Sequence, residues 1–343
     1  MPAKAFFTVS AGGADITGNL SSRLISMTIS DKEGTQNDTC NITLDDRGGA
    51  IILPKTGEPV TVVLGWEGGA GAQVFMGTVD EVKSSGSRSG RQLTISAKGL
   101  DTKSKAKQPQ QKHMDDKKTS EALNEAGKLS GHTVRVDPGL DIKRAYWGMN
   151  DESFVHFGER VAQELGGVFK IKGGEAILAD KTGGSISGAA MAIVTAMWGD
   201  NLISWDMTPR MGRMEYKAMG ARWYDLAKAK WNREKEDVNG ADDGAEAEHN
   251  DRFPRADKDE AKGKAKNHAK DSEKEKGGGS VTIDGTASAI PGGTCIIMGA
   301  RPGIDGPWRI EEVQHSFSRS GWTSSLTLKM PGEGTGSDSR TAS

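Results

Sequence analysis

Apolar and polar residues alternate over much of the first third of the chain. Ile25-Ser26-Met27-Thr28-Ile29 and Cys40-Asn41-Ile42-Thr43-Leu44 alternate strictly, and Gln92 to Ala97 does so again. Residues 60–64 form a more continuous apolar run. A period of two predicts strands with one buried face. Gly12-Gly13, Gly48-Gly49 and the Gly68 to Gly71 stretch punctuate these runs as turns. Strands this short with turns this frequent predict a small barrel or sandwich, and a barrel leaves no exposed sheet edge.

The period then changes. Residues 101–118 read as a Lys- and Gln-rich link. A helix is predicted over 119–129, with Thr119 or Ser120 as its cap and Gly131 as its stop. Val134 and Val136 suggest a short strand. A second helix is predicted over 154–165, because Phe154, Phe157, Val161 and Leu165 follow helical spacing and Gly166-Gly167 ends it. Residues 168–178 read as a hairpin around Lys172-Gly173-Gly174. The middle of the chain is therefore expected to be a small α+β domain.

Alternation resumes at Ile203 and is clear over 214–224. Residues 233–276 then interrupt it with Lys, Glu, Asp and Arg and almost no large apolar side chains. The stretch 239–250 reads as disordered. Residues 257–276 read as a helix with ion pairs one turn apart, stopped by Gly277-Gly278-Gly279. Strands return over 281–330, and a flexible tail follows.

The two β-rich ends repeat each other. Val79-Asp80-Glu81-Val82 leads to Ser87-Arg88-Ser89-Gly90 and Leu93-Thr94-Ile95. Ile310-Glu311-Glu312-Val313 leads to Ser318-Arg319-Ser320-Gly321 and Leu326-Thr327-Leu328. Upstream, Val62-Val63-Leu64-Gly65 corresponds to Ile296-Ile297-Met298-Gly299. One chain thus carries the same β-module twice, and three copies would present a near-sixfold ring of modules. That geometry points to an assembly part rather than an enzyme.

Composition and chemistry narrow this further. The formal net charge of -2 gives no reason to expect nucleic-acid or membrane binding. No apolar run reaches the roughly 18 residues of a membrane span. The N-terminus has no sustained apolar segment of a secretory signal. Cys40 and Cys295 form no metal or redox spacing. They read as buried free thiols, with a bridge between the two modules as the alternative. The sequence Gly86 to Gly90 carries Arg88 where a nucleophile elbow needs serine, and Asn19 stands where a phosphate loop needs lysine. The six histidines are scattered; His315 matches Ser84 of the first repeat. Glu159 and Glu164 read as a solvated helix face. No catalytic, cofactor-binding or metal residue is therefore assigned. The candidate positions are the two turns, Ser87, Arg88, Ser89, Gly90 and Ser318, Arg319, Ser320, Gly321, as equivalent points of the two modules or as ordinary hairpin turns.

The order of segments resembles the phage late control D family, the tail hub proteins of contractile-tailed phages and tailocins. Three stretches carry the resemblance. The first runs from Asn150-Asp151-Glu152-Ser153-Phe154 through Phe157 to Arg160-Val161-Ala162. The second is the Ala- and Lys-rich stretch 261–276. The third comprises Gly292-Gly293, Asp305-Gly306-Pro307-Trp308-Arg309-Ile310, Val313-Gln314-His315 and Gly321-Trp322-Thr323. His315 takes the family's His position and is expected to be structural.

The resemblance implies a mainly β chain with two similar small barrels. These are a first barrel over 1–107, a middle α+β domain over 108–199, and a second barrel over 200–232 plus 277–332. A charged insertion covers 233–276 and a tail 333–343. It implies a non-enzymatic homotrimer in the virion tail baseplate, assembled in the host cytoplasm and adapting the sixfold tail tube to a threefold spike around a central channel. The implied partners are the tube protein, a separate trimeric spike, baseplate wedge proteins and the tape measure protein. Sequence-specific nucleic-acid binding and membrane anchoring are not expected, nor is any cofactor. The competing functions are a stand-alone carbohydrate- or surface-binding module and a hub-associated cell-wall hydrolase.

Overall fold

The computed structural model describes residues 4–34, 38–88, 90–101, 104–172, 175–180, 192–209, 215–239, 245–275 and 277–330. The first repeat contributes β1 (Ala5–Ala11), β2 (Ala14–Asp15), the short helix α1 (Thr17–Ser21), β3 (Leu24–Lys32), β4 (Thr39–Asp45), β5 (Pro59–Trp66), β6 (Ala72–Ser87) and β7 (Gly90–Lys98). The middle contributes β8 (Pro109–Lys118), α2 (Thr119–Gly127), β9 (Thr133–Val136), β10 (Lys143–Ser153), α3 (Phe154–Leu165), β11 (Gly167–Lys172) and β12 (Glu175–Asp180). The remainder contributes β13 (Ile193–Met197), β14 (Leu202–Thr208), β15 (Ala218–Asp225), β16 (Lys230–Asp237), β17 (Glu248–Asn250), α4 (Lys258–Lys274), β18 (Gly278–Asp284), β19 (Thr294–Met298), β20 (Gly306–Ser318) and β21 (Gly321–Lys329).

Both repeats lie in one 13-stranded sheet. Its order is β2-β1-β5-β6-β7-β4-β3-β20-β21-β18-β14, with β19 beside β20 and β13 beside β19. Period-two patterning sets which face is buried: every second residue of β21 is buried, including Trp322, Ser324, Leu326 and Leu328. The first repeat closes around Val9, Met27, Ile42, Leu44, Val62 and Leu93. The second closes around Ile283, Cys295, Trp308, Val313 and Leu326. Phe317 and Trp322 belong to the first core although they come from the last hairpin. The two modules therefore share packing as well as backbone bonds.

The hairpins β6–β7 and β20–β21 have the same register. Val79, Glu81 and Ser87 oppose Ala97, Ser96 and Gly90, with a bulge at Asp80. Ile310, Glu312 and Ser318 oppose Leu328, Thr327 and Gly321, with a bulge at Glu311. Each bulged carboxylate meets the lysine at the far end of the partner strand: Asp80 with Lys98 and Glu311 with Lys329, both at 2.6 Å. The same logic extends one strand further on each side. Ile42 lies opposite Ile95 as Val281 lies opposite Leu326. Leu24 and Ser26 oppose Leu44 and Thr43, and Leu202 and Ser204 oppose Ile283 and Thr282, with bulges at Ile25 and Ile203.

This register corrects part of the sequence alignment. Ile95, not Leu93, is the counterpart of Leu326, and Leu93 corresponds to Ser324. Val62 corresponds to Ile297 rather than Ile296, since Val62 opposes Phe75 and Ile297 opposes Gly306. A slip of one residue exchanges the faces of a strand, and Val62 and Ile297 are the buried pair.

Three further expectations change. No strand pairing among the described residues closes either module into a barrel; the edge of β3 that would face β1 is taken by β20 instead. Residues 109–118 are not a link but β8, paired with β10 over Met114 and Trp147, which are both buried. The charged stretch includes ordered pairing. β15 lies between β16 and β17 in a separate three-stranded sheet, so of the 200–232 piece only β14 joins the large sheet. α4 covers that small sheet with Ala261, Ala265 and Ala269, one helical turn apart and all buried. Met214, residues 240–244 and the tail lie outside the described residues.

In the middle, α2, β9, α3 and the β11–β12 hairpin match their patterns. Ser153 Oγ accepts the His156 amide at the start of α3, and Gly166 ends it with φ 75°, a conformation glycine adopts without Cβ strain. Glu164 is not on a solvated face. It meets Arg144 at 2.7 Å and Arg160 at 3.2 Å, and these bonds hold its carboxyl below the usual range despite burial.

Candidate functional site

The seam between the repeats joins the two modules through one strand pair. β20 pairs antiparallel with β3 from Glu312 opposite Lys32 to Ser318 opposite Ser26. Aromatic side chains fill the buried face. Trp322 stacks on Trp66 with ring centres 5.7 Å apart, His315 sits 5.8 Å from Trp322, and Phe317 meets Phe7 edge-on at 5.2 Å. Trp66 Nε1 donates to the Gly285 carbonyl at 2.7 Å, which ties the end of β5 to the second module. Pairs of this kind add about 0.5–1.5 kcal/mol each beyond the area they bury.

His315 is 4% exposed, and its Nδ1 lies 2.9 Å from Ser324 Oγ. Ser324 Oγ also accepts the Thr286 amide at 3.0 Å. Burial pushes the imidazole down to about 4, so it is neutral at physiological pH. A neutral histidine with one satisfied nitrogen against a tryptophan is a packing group.

Charged groups line the rim. Lys32 pairs with Glu312 at 3.2 Å and Arg309 with Glu33 at 2.5 Å, both across the seam. Lys170 of β11 reaches Asp31 and Asp38, the latter at 3.0 Å, and its amine also donates to the Lys32 carbonyl. Burial and the Asp31 charge push the Asp38 carboxyl up to about 6. The middle elements are thus anchored to the strand that forms the seam.

The predicted turn residues occupy the tips of the two equivalent hairpins. Gly90 (φ 145°) and Gly321 (φ 131°) share a positive φ that favours glycine. Ser87 and Ser318 pair with them. Ser320 donates its amide to Ser318 Oγ at 3.2 Å, and Arg319 donates to the Ser22 carbonyl at 3.1 Å, reaching across the seam. Arg88 is exposed, and Ser89 lies outside the described residues. The two turns are not brought together; each marks its own module.

Sequence reasoning missed the β3–β14 and β4–β18 correspondence. The signal was present: Leu24-Ile25-Ser26 recurs as Leu202-Ile203-Ser204, and Ile42-Thr43-Leu44-Asp45 recurs as Val281-Thr282-Ile283-Asp284. The charged insertion separates the second pair of strands, which hides the match along the chain.

The family model for the phage tail baseplate hub (GPD) matches residues 37–321. The probable baseplate hub protein of Escherichia phage 186 is 31% identical over 170 residues, covering 49% of this chain and 43% of the relative. That of Escherichia phage P2 is 32% identical over 162 residues, covering 47% and 41%. The matched stretch is thus less than half the length of each relative. Among solved structures, the 43 kDa tail protein of prophage MuSo2 from Shewanella oneidensis shares the fold with a TM-score of 0.72, at 15% identity and over 95% of this chain and 98% of that one. The tail protein from Neisseria meningitidis MC58 has a TM-score of 0.69 at 16% identity, over 95% and 96%. A type VI secretion component of E. coli, described as similar in structure to T4 phage tail proteins, reaches 0.54 at 11% identity, over 93% and 76%. With the match running from the start of β4 to the turn of the last hairpin, across the seam and the middle elements alike, the chain belongs to the phage tail baseplate hub (GPD) family.

Proposed function

We propose that this chain is the protomer of a homotrimeric tail hub that adapts a sixfold tail tube to a threefold spike. Three chains supply six equivalent β-modules around a central channel, and the middle elements brace each chain from outside the seam. The observation that carries this reading is the duplicated module: the same bulges, the same carboxylate–lysine pairs and the same turn glycines recur in both halves. A chain that encodes one module twice, with diverged surfaces, converts threefold into sixfold symmetry. The tube protein would meet one rim of the ring and a separate trimeric spike the other. Wedge proteins and the tape measure protein are the remaining contacts in this reading. The role is structural, and the unit is driven with the tail rather than turning over a substrate.

The test is the mass of the purified protein by light scattering across a dilution series, with particles viewed by negative-stain microscopy. A trimer with a central hole and near-sixfold outline is expected. A chain that stays monomeric even when co-expressed with the neighbouring spike protein refutes the hub reading and favours a surface-binding module.

A further inference from the structure

We propose that copies of this chain join edge to edge, the outer edge of β14 in one copy against residues 81–87 of β6 in the next, in the register that β3 and β20 use within the chain. The inference rests on the trimeric reading above and names the surface that would build it.

β20 is the counterpart of β6, because the two hairpins share register, bulge and ion pair. β14 is the counterpart of β3, because both pair with equivalent strands and both bulge at the isoleucine of a Leu-Ile-Ser sequence. Within the chain, the β3 edge of the first module meets the β20 edge of the second. The matching edges of the opposite ends are β14 and β6. Among the described residues β14 is the last strand in the sheet order, with a single bridge from Trp198 to Leu202 at its start, and β5 pairs with β6 only as far as Thr78. Ser204, Asp206 and Thr208 are exposed on one, and Glu81, Lys83, Ser84, Ser85 and Gly86 on the other. Two open edges on one molecule are an aggregation liability, and a single head-to-tail contact covers both.

Transferring the register places Ser204 opposite Ser87, Trp205 opposite Gly86, Asp206 opposite Ser85, Met207 opposite Ser84 and Thr208 opposite Lys83. The side chains suit these places. Met27 and Phe317 face each other at the internal seam; Trp205 and Gly86 exchange the large and small partners while keeping an aromatic ring in the pair. Asp206 falls diagonal to Lys83 on the same face, within reach of a long side chain. The turn arginines also find a role. Arg319 reaches the carbonyl of Ser22, just ahead of β3. Its counterpart Arg88 would reach the matching position ahead of β14, which is Asp200 of the next copy. A backbone contact within the chain thus becomes an ion pair between chains.

The test uses the full-length protein carrying Asp206→Cys and Ser85→Cys, mildly oxidised. Directly opposed residues in an antiparallel pair have the Cα separation a disulfide needs. Native Cys40 and Cys295 are buried and do not compete. The expected result is covalent dimers and trimers on non-reducing gels, with no linkage in the control Asp206→Cys with Ser84→Cys, whose second side chain faces the other side of the sheet. The reduced variants are weighed by light scattering alongside. A trimer in which 206 and 85 do not link, or in which 206 and 84 link instead, overturns the junction and leaves the trimer standing. A monomer at every concentration overturns the trimer and the junction together. As a second readout, Arg88→Asp is expected to shift trimer dissociation to higher protein concentration, and adding Asp200→Arg to shift it back. A double variant no more associated than the single one removes the Arg88 contact.

Discussion

Replacing His315 with asparagine isolates the one buried titratable ring at the seam. The amide keeps a polar group near the position of Nδ1, so Ser324 retains a partner, but nothing titrates. In the parent the imidazole is held at about 4 by burial, against 6.5 for a free histidine. The unfolded chain therefore binds a proton between those values that the native chain refuses. Because the unfolded state is the one that gains, stability falls as pH drops from about 6.5 to about 4, by about 3 kcal/mol in full and about 2 kcal/mol between about pH 7 and about pH 5. Urea unfolding of parent and variant, followed by tryptophan fluorescence across that range, reads the difference directly, since all other groups cancel. At neutral pH the parent is the more stable, by the ring packing on Trp322 that asparagine gives up. Its lead shrinks by about 2 kcal/mol on acidification to about pH 5. Two curves that stay parallel with pH would refute both the burial and the neutral state of His315.

Other perturbations test the remaining claims. Lys170→Met strands Asp31 and Asp38 as neighbouring, partly buried carboxylates and is expected to cost roughly 3 kcal/mol at neutral pH, the low end for a buried pair. Asp38 already sits at about 6, so it accepts a proton readily below that pH and the cost shrinks there; a pH-independent loss of urea midpoint would contradict the geometry. Burial raises both thiols to about 12, so a thiol reagent at neutral pH should leave Cys40 and Cys295 unmodified in the native protein and titrate both in denaturant. Modification of either in the native state would place it at the surface.

Local chemistry was legible along the chain. The α3 helix could be read to its ends, because its cap, its apolar spacing and its terminal glycine are all local signals. The turn residues were legible for the same reason, as glycine is favoured where φ is positive. The β8 strand was not legible. Its Lys- and Gln-rich sequence is that of an exposed link, and only pairing with β10 and the burial of Met114 against the middle core make it a strand. The ordered part of the charged stretch was hidden likewise: Glu248–Asn250 has no strand pattern of its own and is held by β15.

The sequence alone determined that the chain is mostly β and that an α+β segment divides two related modules, and it marked the two hairpin turns as candidate equivalents. Periodicity and turn chemistry carry that information because they act over a few residues. Tertiary structure decided what the edges of the modules do. Whether β3 closes on its own module or opens toward β20 depends on backbone groups that every strand presents alike, so no local pattern records the choice. The same holds for the register: a shift of one residue leaves composition unchanged and exchanges the buried face, and only the packing of Val62 against the core, with Ile297 in the matching place, fixes it.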